Sequence, residues 1–255
     1  MDINFCLPID LDRLQNDRLK LIPTEKCSDA IIEFYVNETS LKHPELFNHF
    51  PNGPFASVQE YKAWHKTVVH DNRSSVIFNI FLKAGKVERK NATTGAIDVL
   101  EIDDDTFAGT TGLLNASAEN STAEIGYVML LPEFHRTFVN THATAVLLKH
   151  LLEPLSSGDL EMRRVQWQAQ SLNKPSIAAA QRLGMKLEGI IRWQRVVAAN
   201  KEGSSAREGV SKERLPSVDQ EGRKLGPGRH SAMLAMCWDD WLDGGREHVL
   251  KLLER

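Results

Sequence analysis

The sequence predicts a mixed α/β (α+β) fold, one domain spanning residues 1–255 around a central sheet. Three observations carry that prediction. Segments with strand alternation and segments with helical spacing succeed one another along the chain. Two consecutive strand-like segments meet at the polar turn "SAENS" as an antiparallel hairpin. The 255 residues, 42% hydrophobic and 25% charged, make an ordinary soluble composition that can bury one large core, and they contain no internal repeat.

In chain order, "RLKLIPT" alternates basic and apolar residues up to a proline, as a strand does. "TEKCSDAIIEFYVNE" reads as a helix with Thr24 as N-cap and a stripe of Ile31, Ile32, Phe34 and Tyr35. "HPELFNHFPNGPF" carries three prolines and a glycine, which marks a loop or broken helix. Ser57 and Glu60 open the next helix as a capping box. "SSVIFNIFLKAGK" is β-branched and apolar, a buried strand. The charged, turn-rich stretch from Val87 reads as a hairpin tip or solvated insertion, and the "SAENS" hairpin follows it. A helix is expected over Asn140–Glu153, a strand over Arg163–Gln170, and a compact helix in "NKPSIAAAQRLG" closed by Gly184. "KLEGIIRWQRVV" and "HSAMLAMCWDDWL" read as strands, and a helix ends the chain. Between them, residues 198–228 hold almost no large apolar side chains, so a flexible insertion is expected there.

Composition also removes function classes. A formal net charge of −3 gives no global pull toward nucleic acid or an anionic membrane. Cys6, Cys27 and Cys237 are odd in number and far apart, which suits a reducing compartment and neither a disulfide framework nor a zinc site. The first residues carry acids where a signal peptide carries bases, and no apolar run of about 18 residues follows. A cytoplasmic protein is the expectation, with the nucleus as the alternative. Nucleotide-binding, zincin and serine-hydrolase motifs are all absent. His142 and His150 fall on one helical face with His135 upstream, but no carboxylate accompanies them, so no metal is expected.

Chemistry concentrates in two places. In "PEFHRTFVNTHA" a polar turn without glycine runs into an apolar helix, which can present free amides, the helix dipole and Arg136 to an anion. Capping by Asn140 or Thr137, with Arg136 solvated, is the simpler account of that pattern alone. Glu124 is an ionisable group inside the apolar strand "TAEIGYVML", either on a solvated face or in a cleft as a general base. Asn173 and Ser176 begin a helix, where capping again explains both.

Taken together and in order, "RLKLIPT", "TAEIGYVMLLPEFHRTFVNTHATAVLLKHLLE" and "RRVQWQAQSLNKPSIAAAQRLGMKLEGIIR" resemble the GNAT superfamily of acyl-CoA-dependent N-acetyltransferases. More narrowly they resemble the ribosomal-protein N-terminal acetyltransferase branch, within it a minority group with an RTxVNT-type turn. Asn173, Ser176, Ala179, Leu183, Gly184, Glu188, Gly189 and Arg192 carry the most specific match. The resemblance implies a mostly antiparallel sheet whose middle strands splay, with acetyl-CoA as co-substrate in the gap. It implies pantetheine pairing at Val128, Met129 and Leu130, the pyrophosphate at Arg136, Thr137, Phe138, Val139, Asn140 and Thr141, and Asn173 beside the thioester. Glu124 becomes the implied base and Ser176 the hydroxyl offered to the departing thiolate. Where the family usually has glycines, this turn has Arg136 and Phe138; His135 takes a Gln/Arg position and His142 a common glutamate. The expected reaction is acetyl transfer to a primary amine of a small molecule, with Trp64, His65 and Trp193 near the acceptor. A protein N-terminus as acceptor, or a non-catalytic acyl-CoA-binding protein, are the alternatives. A homodimer is compatible with the sequence; nucleic-acid and membrane partners are not expected.

Overall fold

The computed structural model describes residues 3–91, 94–204 and 216–254. Its centre is a seven-stranded sheet in the order β1-β2-β5-β6-β7-β9-β8, beside a two-stranded ribbon of β3 and β4. The strands are β1 (Leu19–Pro23), β2 (Val76–Leu82), β3 (Gly85–Lys90), β4 (Ile97–Ile102), β5 (Thr106–Ser117), β6 (Thr122–Leu130), β7 (Arg164–Gln170), β8 (Lys186–Val196) and β9 (Gly228–Cys237). The sheet is antiparallel except at its middle, where β6 and β7 run parallel.

That parallel pair is short. Its register covers four positions, from Thr122 opposite Arg164 to Ile125 opposite Trp167. Beyond them β6 continues to Leu130 and β7 to Gln170 without pairing to each other, so the two strands part. On its other side β6 bulges against β5: Gly112 faces Gly126 but Thr110 faces Met129, one residue extra on β6. Tyr127 takes up the surplus with φ +51, and the Thr110 hydroxyl donates to its carbonyl at 2.9 Å.

The helices are α1 (Asp29–Val36), α2 (Val58–Trp64), α3 (Val139–Leu152), α4 (Lys174–Arg182), the single turn α5 (Trp238–Asp240) and α6 (Arg246–Leu253). Eleven of the fourteen residues of α3 are buried, because it lies over β1, β5, β6 and β7 on one side and meets α6 on the other. β2 is buried at every position of "VIFNIFL", as a central strand should be. No helix among the described residues is long and apolar enough to cross a membrane.

Several local expectations change. Thr24 opens a 3-10 turn rather than capping a helix; α1 begins after Ser28. At α2 the Ser57 hydroxyl accepts from the Glu60 amide, but the Glu60 carboxylate reaches past Ser57 to the Ala56 amide. Gly184 closes α4 with φ +93, as predicted. Residues 205–215 of the expected insertion lie outside the described residues, while its flanks dock on the body. There the Lys201 ammonium donates to the carbonyls of Phe47, Phe50 and Asn52 at 3.0, 2.6 and 3.0 Å. Burial pulls the Lys201 pKa down to about 8.

Candidate active site

The parting of β6 and β7 opens a cleft of about 930 Å³, enough for a large cofactor-sized ligand. Its walls come from the run of β6 that β7 leaves unpaired, the turn before α3, the start of α4, and the loop His49–Asn52. Of the residues singled out in the sequence, Glu124, Val128, Met129, Leu130, Arg136, Thr137, Asn140, Thr141, Asn173 and Ser176 all line it.

The turn answers the question of the missing glycine. Arg136 adopts φ +62, the left-handed conformation that glycine enters freely and other residues enter at about 1–2 kcal/mol. Its side chain is exposed at the cleft. The Thr137 hydroxyl donates to the Phe134 carbonyl at 2.7 Å and accepts the Val139 amide at 3.2 Å. That uses the Val139 amide, and the Val139 side chain is fully buried, so Val139 turns away from the expected phosphate role. Phe138 serves from behind: the Arg18 guanidinium sits 3.4 Å from its ring centroid, and the His142 ring packs at 4.8 Å. Neither Phe138 nor Val139 lines the cleft. The amides of Asn140 and Thr141 find no backbone acceptor among the described residues, leaving the positive end of α3 open.

His135 bears on the pantetheine pairing expected at Leu130. Its Nε2 lies 3.0 Å from the Leu130 carbonyl, so that carbonyl already has a partner on its own chain. The three histidines do not converge. His142 Nδ1 meets the Asn16 side-chain amide at 3.1 Å, and His150 meets buried Asp159 at 3.0 Å.

Glu124 is 2% exposed. Its Oε2 accepts N–H bonds from Asn115 at 3.0 Å and Gln166 at 2.9 Å, while Oε1 has no donor among the described residues. Asn115 reaches it from β5 and Gln166 from β7, so the strands on both sides hold the carboxylate. Ser176 sits in the first turn of α4. Asn173 caps that helix by accepting the Ser176 amide at 3.1 Å. The indole N–H of Trp167 donates to Ser176 Oγ at 3.0 Å, so the hydroxyl keeps its own proton for another acceptor.

The aromatic candidates lie elsewhere. Trp64 packs on Phe55, Tyr61 and Tyr127 around a pocket of about 20 Å³, room for a water molecule and no more. His65 is buried beside Glu25, and burial, with His70 adding to it, pulls its pKa down to about 4. Trp193 is exposed at φ +54 with its ring edge on His230. None of the three lines the cleft. Of the matched helix-to-strand motif, Glu188 is structural, forming a two-pronged ion pair with Arg164 at 2.7 and 2.6 Å.

Sequence reasoning missed several wall residues. Tyr127 lines the cleft at the bulge, where burial raises its pKa and a bond to Ser75 opposes that. Gln170 Oε1 accepts from the His49 ring, and its Nε2 donates to the Glu202 carbonyl at 3.0 Å, joining β7 to two loops. Arg229 was hidden at the edge of the low-apolar stretch; only its cationic type in a strand start could have drawn attention to it.

The model of the acetyltransferase (GNAT) domain family matches residues 18–186, well over half of the chain. No curated protein sequence matches the chain. Among solved structures, a probable GNAT-family acetyltransferase from Chromobacterium violaceum superposes with TM-score 0.62 at 21% identity, over 89% of this chain and 87% of that one. Spermidine N-acetyltransferase from Vibrio cholerae, solved with CoA and spermine, gives 0.55 at 12% identity, over 89% and 99%. RimJ from Mycobacterium smegmatis, with CoA-disulfide, gives 0.58 at 13% identity, over 92% and 94%. At these identities the structures share the fold.

Proposed function

The chain belongs to the GNAT family of acetyltransferases and is an acetyl-CoA-dependent N-acetyltransferase, and on that premise we propose that it acetylates a primary amine of a small molecule. The observation that carries this reading is that Glu124 and Ser176, on opposite sides of the parted strands, line one cleft with the open end of α3.

In this reading the pyrophosphate of acetyl-CoA meets the Asn140 and Thr141 amides and the Arg136 side chain, and the pantetheine follows the unpaired edge of β6 at Val128 and Met129. Asn173 stands beside the thioester. Glu124 takes a proton from the acceptor ammonium through Oε1, directly or by way of a water. The freed nitrogen attacks the thioester carbonyl, the C–N bond forms, and the C–S bond breaks with its electron pair on sulfur. The second proton that the nitrogen loses on becoming an amide passes to that thiolate, directly or by way of a water. Ser176, with Trp167 donating to its oxygen, gives its hydroxyl proton as a hydrogen bond to the departing sulfur. Positioning and polarisation are sufficient for this step, with no covalent enzyme intermediate.

A compact acceptor suits the opposite wall. The loop His49–Asn52 is held by Lys201, Gln170 and Arg229, so the acceptor meets fixed sides.

Thiol release from acetyl-CoA across amines, amino sugars, amino acids and N-terminal peptides tests the reading. Turnover with a small amine is expected, and Glu124→Gln or Ser176→Ala is expected to lower kcat by at least about tenfold. Turnover confined to peptides would transfer the role to protein N-termini. CoA binding without turnover of any acceptor would leave a non-catalytic binding protein.

A further inference from the structure

The acceptor side of the cleft contains an arrangement that folding alone would avoid. Arg195 of β8 and Arg229 of β9 are direct partners in the antiparallel register. Like charges directly opposite in a ladder repel. Here both side chains also line the same cleft instead of diverging into solvent. Arg229 is 5% exposed, and its buried Nε has no hydrogen-bond partner among the described residues. Among the described residues its side chain makes a single hydrogen bond, a long 3.5 Å one from Nη1 to the His49 carbonyl. The Arg195 side chain forms no ion pair and no hydrogen bond among the described residues.

Burial, with Arg195 adding to it, pulls the Arg229 pKa down to about 10, and Glu124 opposes that shift. Glu124 is the only carboxylate among the cleft-lining residues, and its Oε2 is already held by two amide donors. Neither arginine forms an ion pair with it. Two guanidinium groups therefore share one carboxylate that is engaged elsewhere. A buried guanidinium with an unused N–H is costly unless something accepts from it. A carboxylate or phosphate oxygen pair matches guanidinium donors in shape and charge.

We propose that Arg195 and Arg229 form an anion subsite, and that the acceptor is an amine that also carries a carboxylate or phosphate group. This rests on the acetyl-transfer reading above and names the substrate class for it. The anionic group docks on the arginine pair and delivers the amine to the Glu124 side of the cleft. The same pair opposes a polycation.

Matched acceptors test the inference: an amino acid against its carboxamide, an amino sugar 6-phosphate against the free amino sugar, and spermidine. In thiol-release assays, at least one anionic member should exceed its neutral counterpart by about tenfold or more in kcat/KM, and which pair does so separates carboxylate from phosphate. Arg195→Ala, at a half-buried position, should collapse that ratio toward one through KM, with Arg195→Lys intermediate. Arg229→Ala should act in the same direction if its melting curve shows that it folds. Neutral amines or spermidine used as well as the anionic ones would overturn the inference, as would an Arg195→Ala effect equal on both members of a pair. If no amine is acetylated, the reaction reading fails, and calorimetry with the N-acetylated forms of the same pairs decides the subsite. Tighter binding of the anionic form, lost in Arg195→Ala, supports it; equal binding sinks it.

Discussion

Arg136 shows at the scale of one residue how a side chain can stand where a glycine is expected. The turn keeps its left-handed backbone at φ +62, so the price is conformational strain rather than a changed path. Arg136→Gly should raise the melting temperature, corresponding to about 1 kcal/mol of relieved strain, while weakening CoA binding measured by calorimetry. Unchanged CoA affinity in that variant would remove the guanidinium from phosphate binding. The sequence exposed the substitution but could not report its φ, because residue type constrains the left-handed region only statistically. Glu124 was legible as a charge in an apolar strand. Its holders, Asn115 and Gln166, were not, because they arrive from neighbouring strands through the register.

Among the elements, α3 couples the site to acid pH. His142, 1% exposed, sits under the turn between Phe138 and Asn16. Burial, with the Arg18 charge adding to it, pulls its pKa down to about 4 from the usual 6.5, and His65 shows the same depression for burial first and His70 second. The unfolded chain therefore takes up these protons first. Stability from the two neutral rings is present above pH 6.5 and is lost as pH falls from about 6.5 to about 4, on the order of 3 kcal/mol each. Melting temperatures measured across that window should fall, and His142→Gln should flatten the slope. A slope identical in that variant would clear His142 of the effect. Most strands and helices were legible because their periods are local. The Thr24 cap was misread because the chain leaves β1 through a 3-10 turn, so the N-cap position falls at Ser28, whose hydroxyl makes no capping bond. Docking of the insertion's root was invisible, since Lys201 bonds backbone carbonyls some 150 positions away in sequence.

The whole molecule carries a formal net charge of −3, yet its cleft is lined by Lys90, Arg136, Arg182, Arg195 and Arg229 against Glu124 alone. The bulk charge therefore misleads about what the cleft attracts. Raising salt from about 50 to 500 mM should increase the KM for acetyl-CoA several-fold, because the Debye length falls well below the width of the cleft. A KM indifferent to salt would mean that these cations do not act on the ligand. Strand order was not readable in advance: β9 enters between β7 and β8, a pairing set by contacts distant in sequence. Four residue pairs between β6 and β7 are the backbone seam that joins β1-β2-β5-β6 to β7-β9-β8. Mechanically the sheet is two plates riveted at one end, with the cleft proposed for acetyl-CoA in the open end. On the proposed seating, the co-substrate consumed in each cycle would also bridge the two plates across that open end.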